Sequence, residues 1–536
     1  MKKLFLSAVL IMAALATFAQ SRPKLIVGIV VDQMRWDYLH RYYDLYGEGG
    51  FKRIMNEGFD CENTMINYIP AITAVGHTSI YTGSVPAIHG IQGNSFLING
   101  KFTYCTADTT VAGVGTKTKA GQMSPRNMFC TTIGDELKVA TDFKSRVIGV
   151  AIKDRAAILP AGHAADAAYW IDGKQSKFVS STYYMKQLPA WVEKYNKTVS
   201  KYTEDQINLS PAGNEVTMDM AKNVITNEKL GQQGETDMIC ISFSSTDKIG
   251  HKYGTHCQLI QDQFVDLDKR LADFMKYLDT TIGKGEYLLF LTADHGAANG
   301  ILMNQKHGIP SGGFSYKKEI KELNAYFRQK YGVDADFTRY IMAYNVVLDH
   351  DAIEKAGLKL RKVKKDVIDY FMKKDYVAYA VDMEHVADAT VPPYIKEKML
   401  NGYNAKRNGD VQLILQPGWY DVYGDKIEAG TTHSAWNPYD AHIPFLMMGW
   451  GVKHGKTSHP TYITDIAATI CNLVHIQMPN GCIGNAVEMK YPPPKRSNAP
   501  FGCKGKSLLA VTFCGMPHFN DYFLCRQKFN DYICMT

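Results

Sequence analysis

Three aspartates and three histidines have the types and placement to hold metal ions. Asp32 follows the apolar run Lys24 to Val31 (KLIVGIVV). Asp247 and His251 stand four apart in STDKIGH, just after the apolar run Asp237 to Phe243 (DMICISF). Asp294 and His295 are adjacent in ADHG, after Tyr287 to Thr292 (YLLFLT). His433 lies in GTTHSAW, ahead of a predicted strand from Ile443 to Met448. Carboxylate oxygen and imidazole nitrogen are donors that zinc accepts. Any one of these residues alone reads as a helix cap, a turn residue or a packed histidine. Their arrival together at the ends of separate apolar runs is what points to a metal centre.

A nucleophile is available as well. Thr73 precedes a predicted helix from Ala74 to Tyr81. Unpaired backbone N–H groups and the helix dipole favour an anion at such an end, which lowers the cost of an alkoxide. A metal on the Thr73 oxygen would complete its activation. The local alternative is a plain threonine cap. Lys153 and Arg155 supply cations after a fourth apolar run, Arg146 to Ile152 (RVIGVAI). An extended Lys153-Asp154-Arg155 would point both cations to one side and Asp154 to the other.

The elements that must position these groups follow from the apolar runs. They are short, rich in Ile, Val and Leu, and do not alternate, as in parallel strands buried on both faces. Helical patterns lie between them, such as Phe264 to Leu278. The predicted fold class is therefore α/β: a largely parallel central sheet with helices on both faces. In open sheets of this kind the site lies outside the carboxyl ends of the strands. Residues from about 305 to 410 break the pattern with Lys- and Tyr-rich helical segments, including Tyr316 to Tyr331, and read as an inserted covering subdomain.

Composition bounds the rest. Of 536 residues, 46% are hydrophobic and 21% charged, which suits a large globular core. Residues 1–19 read as a signal peptide: Lys2 and Lys3, an apolar run from Leu4 to Ala16, then Thr17-Phe18-Ala19. The expectation is export, to the periplasm or beyond, with no membrane span after cleavage. Lys2 and Lys3, with six Lys or Arg against two Asp in 491–536, carry nearly all of the net +7. The body is close to neutral, so no nucleic-acid surface is expected. The 11 cysteines include no CxxC pair, so a structural zinc site built on thiolates has little support.

As a set, VVDQMRWDY, PAITAVGHTSIYTGSVPAIHGIQGN, KDRAAILPAGH, STDKIGHKYG, TADHG and TTHSAWNPYDAHIPFLMMGWG resemble the alkaline phosphatase superfamily. They are most similar to the phosphate-irrepressible alkaline phosphatases of Gram-negative bacteria, with a type I phosphodiesterase/nucleotide pyrophosphatase-like fold. The motifs stand in that family's order over roughly residues 24–490. The resemblance implies two Zn2+ ions. One would lie on Asp247, His251 and His433, the other on Asp32, Asp294, His295 and the Thr73 oxygen. It implies phosphate contacts from Asn94, Lys153 and Arg155. It implies hydrolysis of small phosphate monoesters through phospho-threonine. His77, His89 and His163 fall in the motifs but take packing or supporting roles. The stretch between Trp191 and Leu209 is short for the family, and the atypical tail 491–536 has no counterpart in it. Two rival readings use the same motifs: a phosphodiesterase or nucleotide pyrophosphatase on the same fold, and a zinc-binding relative without turnover. A sulfatase is disfavoured, since no C-x-P-x-R nucleophile motif occurs.

Overall fold

A computed structural model of the chain describes residues 22–422 and 426–489. The expected signal peptide 1–19 and the tail 491–536 lie outside the described residues. A ten-stranded sheet forms the centre, in the order Gly455–Thr457, Phe59–Cys61, Phe445–Gly449, Tyr287–Thr292, Leu25–Val31, Asp237–Phe243, Val147–Ala151, Ala167–Asp172, Lys177–Ser181 and Gly113–Val114. The five strands from Tyr287–Thr292 to Ala167–Asp172 pair in parallel. The flanking strands Phe445–Gly449 and Lys177–Ser181 pair with them antiparallel. All residues of Leu25–Val31, Asp237–Phe243 and Tyr287–Thr292 are buried, as unalternating aliphatic runs require.

Register brings the strand ends level. Val30 pairs with Ser242 and with Thr292, and Ser242 pairs with Ala151. The residues that follow these positions therefore emerge along one edge of the sheet.

Helices cover both faces. In Gln258–Leu278, Ile260, Phe264, Leu267, Leu271, Phe274 and Leu278 are buried at helical spacing. This helix starts six residues before the predicted Phe264, because its first turns carry polar residues that hide the period. Thr73–Thr82 is buried along its whole length. It approaches the sheet closely: a Cβ at Gly28 would lie 2.4 Å from the Tyr81 hydroxyl and 2.6 Å from the Phe290 ring.

Between the Asp294-His295 and His433 segments lies a second layer with its own core, including Leu323, Phe327, Phe337, Val346, Val363 and Phe371. It contains a four-stranded antiparallel sheet in the order Thr338–Met342, Asn345–Leu348, Val411–Leu415, Val377–Asp382. This sheet runs past residue 410, because Val411–Leu415 is an inner strand paired on both sides. Helical periodicity reveals Tyr316–Tyr331. The strands depend on partners far along the chain, which periodicity does not show.

Candidate metal and phosphate site

The sheet edge collects the acidic and histidine side chains. Asp32 follows Val31 directly and is fully buried. Asp294 and His295 follow Thr292 after one alanine, also fully buried. Asp247 is the third residue of helix Ser245–Tyr253, which starts two residues after the Asp237–Phe243 strand. One helical turn on, His251 Nε2 lies 3.0 Å from Asp247 Oδ1. His433 Nε2 lies 3.7 Å from the same oxygen. His295 Nε2 is 3.5 Å from Asp32 Oδ1, 3.4 Å from Asp294 Oδ2 and 3.4 Å from Thr73 Oγ1. The His295 and His433 rings stack with centroids 3.5 Å apart, so the two groups adjoin.

The chemistry of these donors fits divalent cations. Each of the three histidines commits Nδ1 to a backbone carbonyl: His251 to Thr431 at 3.0 Å, His433 to Ala71 at 2.7 Å, His295 to Gly296 at 2.9 Å. A carbonyl only accepts, so these partners assign the proton to Nδ1. Burial holds His433 well below the usual histidine pKa, helped by His295 and His251, and burial also lowers His295. Both rings are therefore neutral, with bare Nε2 atoms facing carboxylates. Asp32 Oδ1 and Asp294 Oδ2 are buried with no hydrogen-bond partner. Burial and the adjacent Asp294 push the Asp32 pKa well above its usual range. Burial also opposes charge on Asp247, yet His251 and Lys153 hold its pKa well below the usual range. Lys153 Nζ lies 2.6 Å from both Asp32 Oδ2 and Asp247 Oδ2. Unpartnered carboxylate oxygens facing bare histidine nitrogens are an arrangement that a cation between them satisfies.

At this sheet edge two sets of donor atoms converge within 4.8 Å: Asp32, Asp294 and His295, and Asp247, His295 and His433. His295 belongs to both by distance. The resemblance instead sets His251 with Asp247 and His433.

Sequence reasoning passed over Gln33. Its backbone N–H donates to Asp294 Oδ1 at 3.1 Å and its Nε2 donates to Asp247 Oδ1 at 2.7 Å. It adopts a left-handed φ of 63°, rare for a residue with a side chain. Gln33 thus ties together two carboxylates that are far apart in sequence. Its only sequence signal is its place beside Asp32. His77 braces the same region. Its Nδ1 lies 2.9 Å from the Thr73 carbonyl and 3.2 Å from Asp294 Oδ2, and its Nε2 lies 2.8 Å from Ser242 Oγ. His89 is bonded to Ser79 and to the Ile91 N–H, and burial pushes its pKa down to about 3, as befits a packed neutral ring. The structure brings His163 to none of these groups; its carbonyl accepts from the Tyr183 hydroxyl.

Thr73 is the first residue of its helix, one before the predicted start, and Ile72 is the cap. The Thr73 hydroxyl makes no capping bond, which leaves it for other chemistry. The helix lies tightly against the metal-ligand loop. A Cβ at Gly76 would sit 2.1 Å from the Asp294 carbonyl oxygen, so only glycine fits this contact. Asn94 Oδ1 accepts from the Ala74 N–H at 3.2 Å. Arg155 is the second residue of helix Asp154–Ala161, with Lys153 as cap. The expected extended Lys153-Asp154-Arg155 segment is therefore corrected: strand Val147–Ala151 ends early and the chain turns into a helix. Alternation no longer sets the directions. Lys153 turns to the carboxylates, while Arg155, Thr73 and Asn94 line a cavity of about 590 Å3 with Asp247, His251 and His433.

The chain matches the family described as type I phosphodiesterase / nucleotide pyrophosphatase over residues 26–440. It is 46% identical to a protein of Myroides odoratus named a calcium-transporting ATPase, over 89% of this chain and 96% of that one. It is 46% identical to the alkaline phosphatase PhoV of Synechococcus elongatus, over 87% and 92%. It is 42% identical to the alkaline phosphatase PafA of Elizabethkingia meningoseptica, over 89% and 96%. A crystal structure of wild-type PafA superposes with a TM-score of 0.84 at 41% identity, covering 88% of this chain and 99% of that one. The chain thus belongs to the type I phosphodiesterase / nucleotide pyrophosphatase family of the alkaline phosphatase superfamily, beside these bacterial alkaline phosphatases.

Proposed function

We propose that this alkaline phosphatase hydrolyses phosphate monoesters through a phospho-Thr73 intermediate. The observation that carries the reading is the place of Thr73. Its hydroxyl, at the start of a buried helix, lies 3.4 Å from the bare Nε2 of His295, which itself lies 3.5 Å from Asp32 Oδ1 and 3.4 Å from Asp294 Oδ2.

Asp247, His251 and His433 would hold one zinc, and Asp32, Asp294, His295 and Thr73 Oγ1 the other. Such a pair, when bound, lowers the pKa of the Thr73 hydroxyl and offsets charge on the leaving oxygen. The chain's own groups do the rest. The Thr73 hydroxyl gives its proton to water as its oxygen attacks phosphorus, the bond to the alcohol oxygen breaks, and the departing alkoxide takes a proton from water. Water then displaces Thr73 from phosphorus, releasing inorganic phosphate and restoring the hydroxyl. Asn94 Oδ1 accepts from the Ala74 N–H, so its Nδ2 donates to a phosphate oxygen. Lys153 and Arg155 meet the two negative charges of a monoester. His77 holds the Thr73 carbonyl and so fixes the first turn of the helix.

The signal-like residues 1–19 direct the chain to the periplasm or outside the cell, where its partners are small phosphate esters. No helix among the described residues is long and apolar enough to cross a membrane.

Hydrolysis of p-nitrophenyl phosphate against bis-p-nitrophenyl phosphate tests the substrate class. The monoester should have the higher kcat/KM; a preferred diester would favour the phosphodiesterase reading. Metal analysis tests the cofactor. Dialysed, active protein should hold about two zinc equivalents per chain, as a pair of mixed Asp/His sites requires. A chelator should abolish turnover and added zinc should restore it. A fully active protein with one equivalent or fewer would contradict the two-metal reading, and no turnover with zinc present would favour the non-catalytic relative.

A further inference from the structure

Arg155 reaches the cavity from a short helix, and nothing in its own helix fixes the plane of its guanidinium. The hairpin that follows Asn94 does. Strands Ser95–Ile98 and Lys101–Tyr104 pair antiparallel, with Ser95 opposite Tyr104. The Cys105 N–H donates to the Asn94 carbonyl at 2.9 Å and extends the ladder by one rung. At the end of this hairpin the Tyr104 hydroxyl accepts from Arg155 Nη1 at 3.0 Å and donates to Asp154 Oδ1 at 2.8 Å. The Thr106 hydroxyl donates to the other Asp154 oxygen. Burial, reinforced by the Asp154 carboxylate, pushes the Tyr104 pKa well up, so the phenol keeps the proton it donates.

This arrangement leaves one edge of the guanidinium for an anion. Nη1 is committed to Tyr104, and Nε is buried without a partner. The side edge, Nε with Nη2, can meet two oxygens at once. One hairpin therefore sets two phosphate-facing groups, Asn94 through its backbone and Arg155 through the Tyr104 hydroxyl.

We infer that Tyr104 is a positioning residue for Arg155: its hydroxyl aims the side edge of the guanidinium at the non-bridging oxygens of a phosphate monoester. This inference rests on the proposed role of Arg155. The hydroxyl is the whole device: it bonds Arg155 and Asp154, and Tyr104 is not among the residues lining the cavity.

Tyr104→Phe removes that oxygen and keeps the ring. It should lower monoester kcat/KM by about tenfold, the scale of one hydrogen bond to a charged group. The loss on a diester, which has one negative charge fewer, should be within about threefold on the same scale. Inhibition by inorganic phosphate should weaken in parallel with the monoester. In an Arg155→Ala background the same change should have less than about a twofold further effect, because a positioning residue acts only through what it positions. Melting temperature and zinc content, measured on every variant, should match the parent. Equal losses on both esters, or losses that multiply in the double variant, would overturn the inference while leaving Arg155 in place. An Arg155→Ala variant that keeps the parent preference for monoesters would remove the role on which the inference depends, and would overturn both together.

Discussion

Thr73→Ala should lower monoester kcat/KM by at least about a thousandfold, the scale on which loss of a nucleophile is felt. The fold should not change. Ile72, not Thr73, is the cap, and the Thr73 hydroxyl makes no capping bond. Alanine is a better helix former than threonine, so the stability change should be below about 1 kcal/mol. The variant should keep its melting temperature and lose turnover. Thr73→Ser keeps a hydroxyl at the same place and should keep measurable activity. A Thr73→Ala protein with more than about a tenth of the parent rate would require another nucleophile, because a tenfold loss is only about 1.4 kcal/mol.

Replacing Lys153 and Arg155 together by alanine should cost at least about a hundredfold more on a monoester than on a diester, since charge-assisted hydrogen bonds contribute about 1.5–3 kcal/mol each. The two cations differ in setting. Lys153 bridges Asp32 and Asp247, whereas Arg155 lines the cavity and is aimed by Tyr104. Burial opposes charge on Lys153, but Asp247 and Asp32 raise its pKa, so it remains an ammonium at neutral pH. Single variants should separate the roles. Lys153→Ala leaves two carboxylates with less positive charge beside them, so zinc content is measured with the rates. Equal losses on both substrates would mean that the pair serves general attraction or stability.

Much of the centre was legible because it is local. Four apolar runs correspond to strands Leu25–Val31, Val147–Ala151, Asp237–Phe243 and Tyr287–Thr292. The polar residues just beyond each run lie at one sheet edge because the strands are parallel and level. The four-residue spacing of Asp247 and His251 translated directly into a 3.0 Å contact on one helical turn. What was not legible is non-local or angular. Gln33 matters through bonds to Asp294 and Asp247, more than 200 residues away. The Lys153-Asp154-Arg155 segment bends into a helix, and alternation gave no warning of it. Val411–Leu415 belongs to the second layer through pairing with Val377–Asp382 and Asn345–Leu348, which no local period encodes. Tyr104 carries no motif at all, and only its contact with Arg155 marks it.

A covalent phosphoryl group on Thr73 can be trapped. Zinc-loaded protein is mixed with a monoester and quenched in acid within one turnover, and the phosphorylated peptide is mapped by mass spectrometry. Phosphate should appear on Thr73, in the peptide that carries the Thr73–Thr82 helix, and not at all in the Thr73→Ala protein. Because hydrolysis of the intermediate follows its formation, a Thr73→Ser protein is quenched in parallel as a second trap. Turnover with no phosphopeptide from either protein, or phosphate on a residue other than Thr73, would contradict the phospho-Thr73 intermediate.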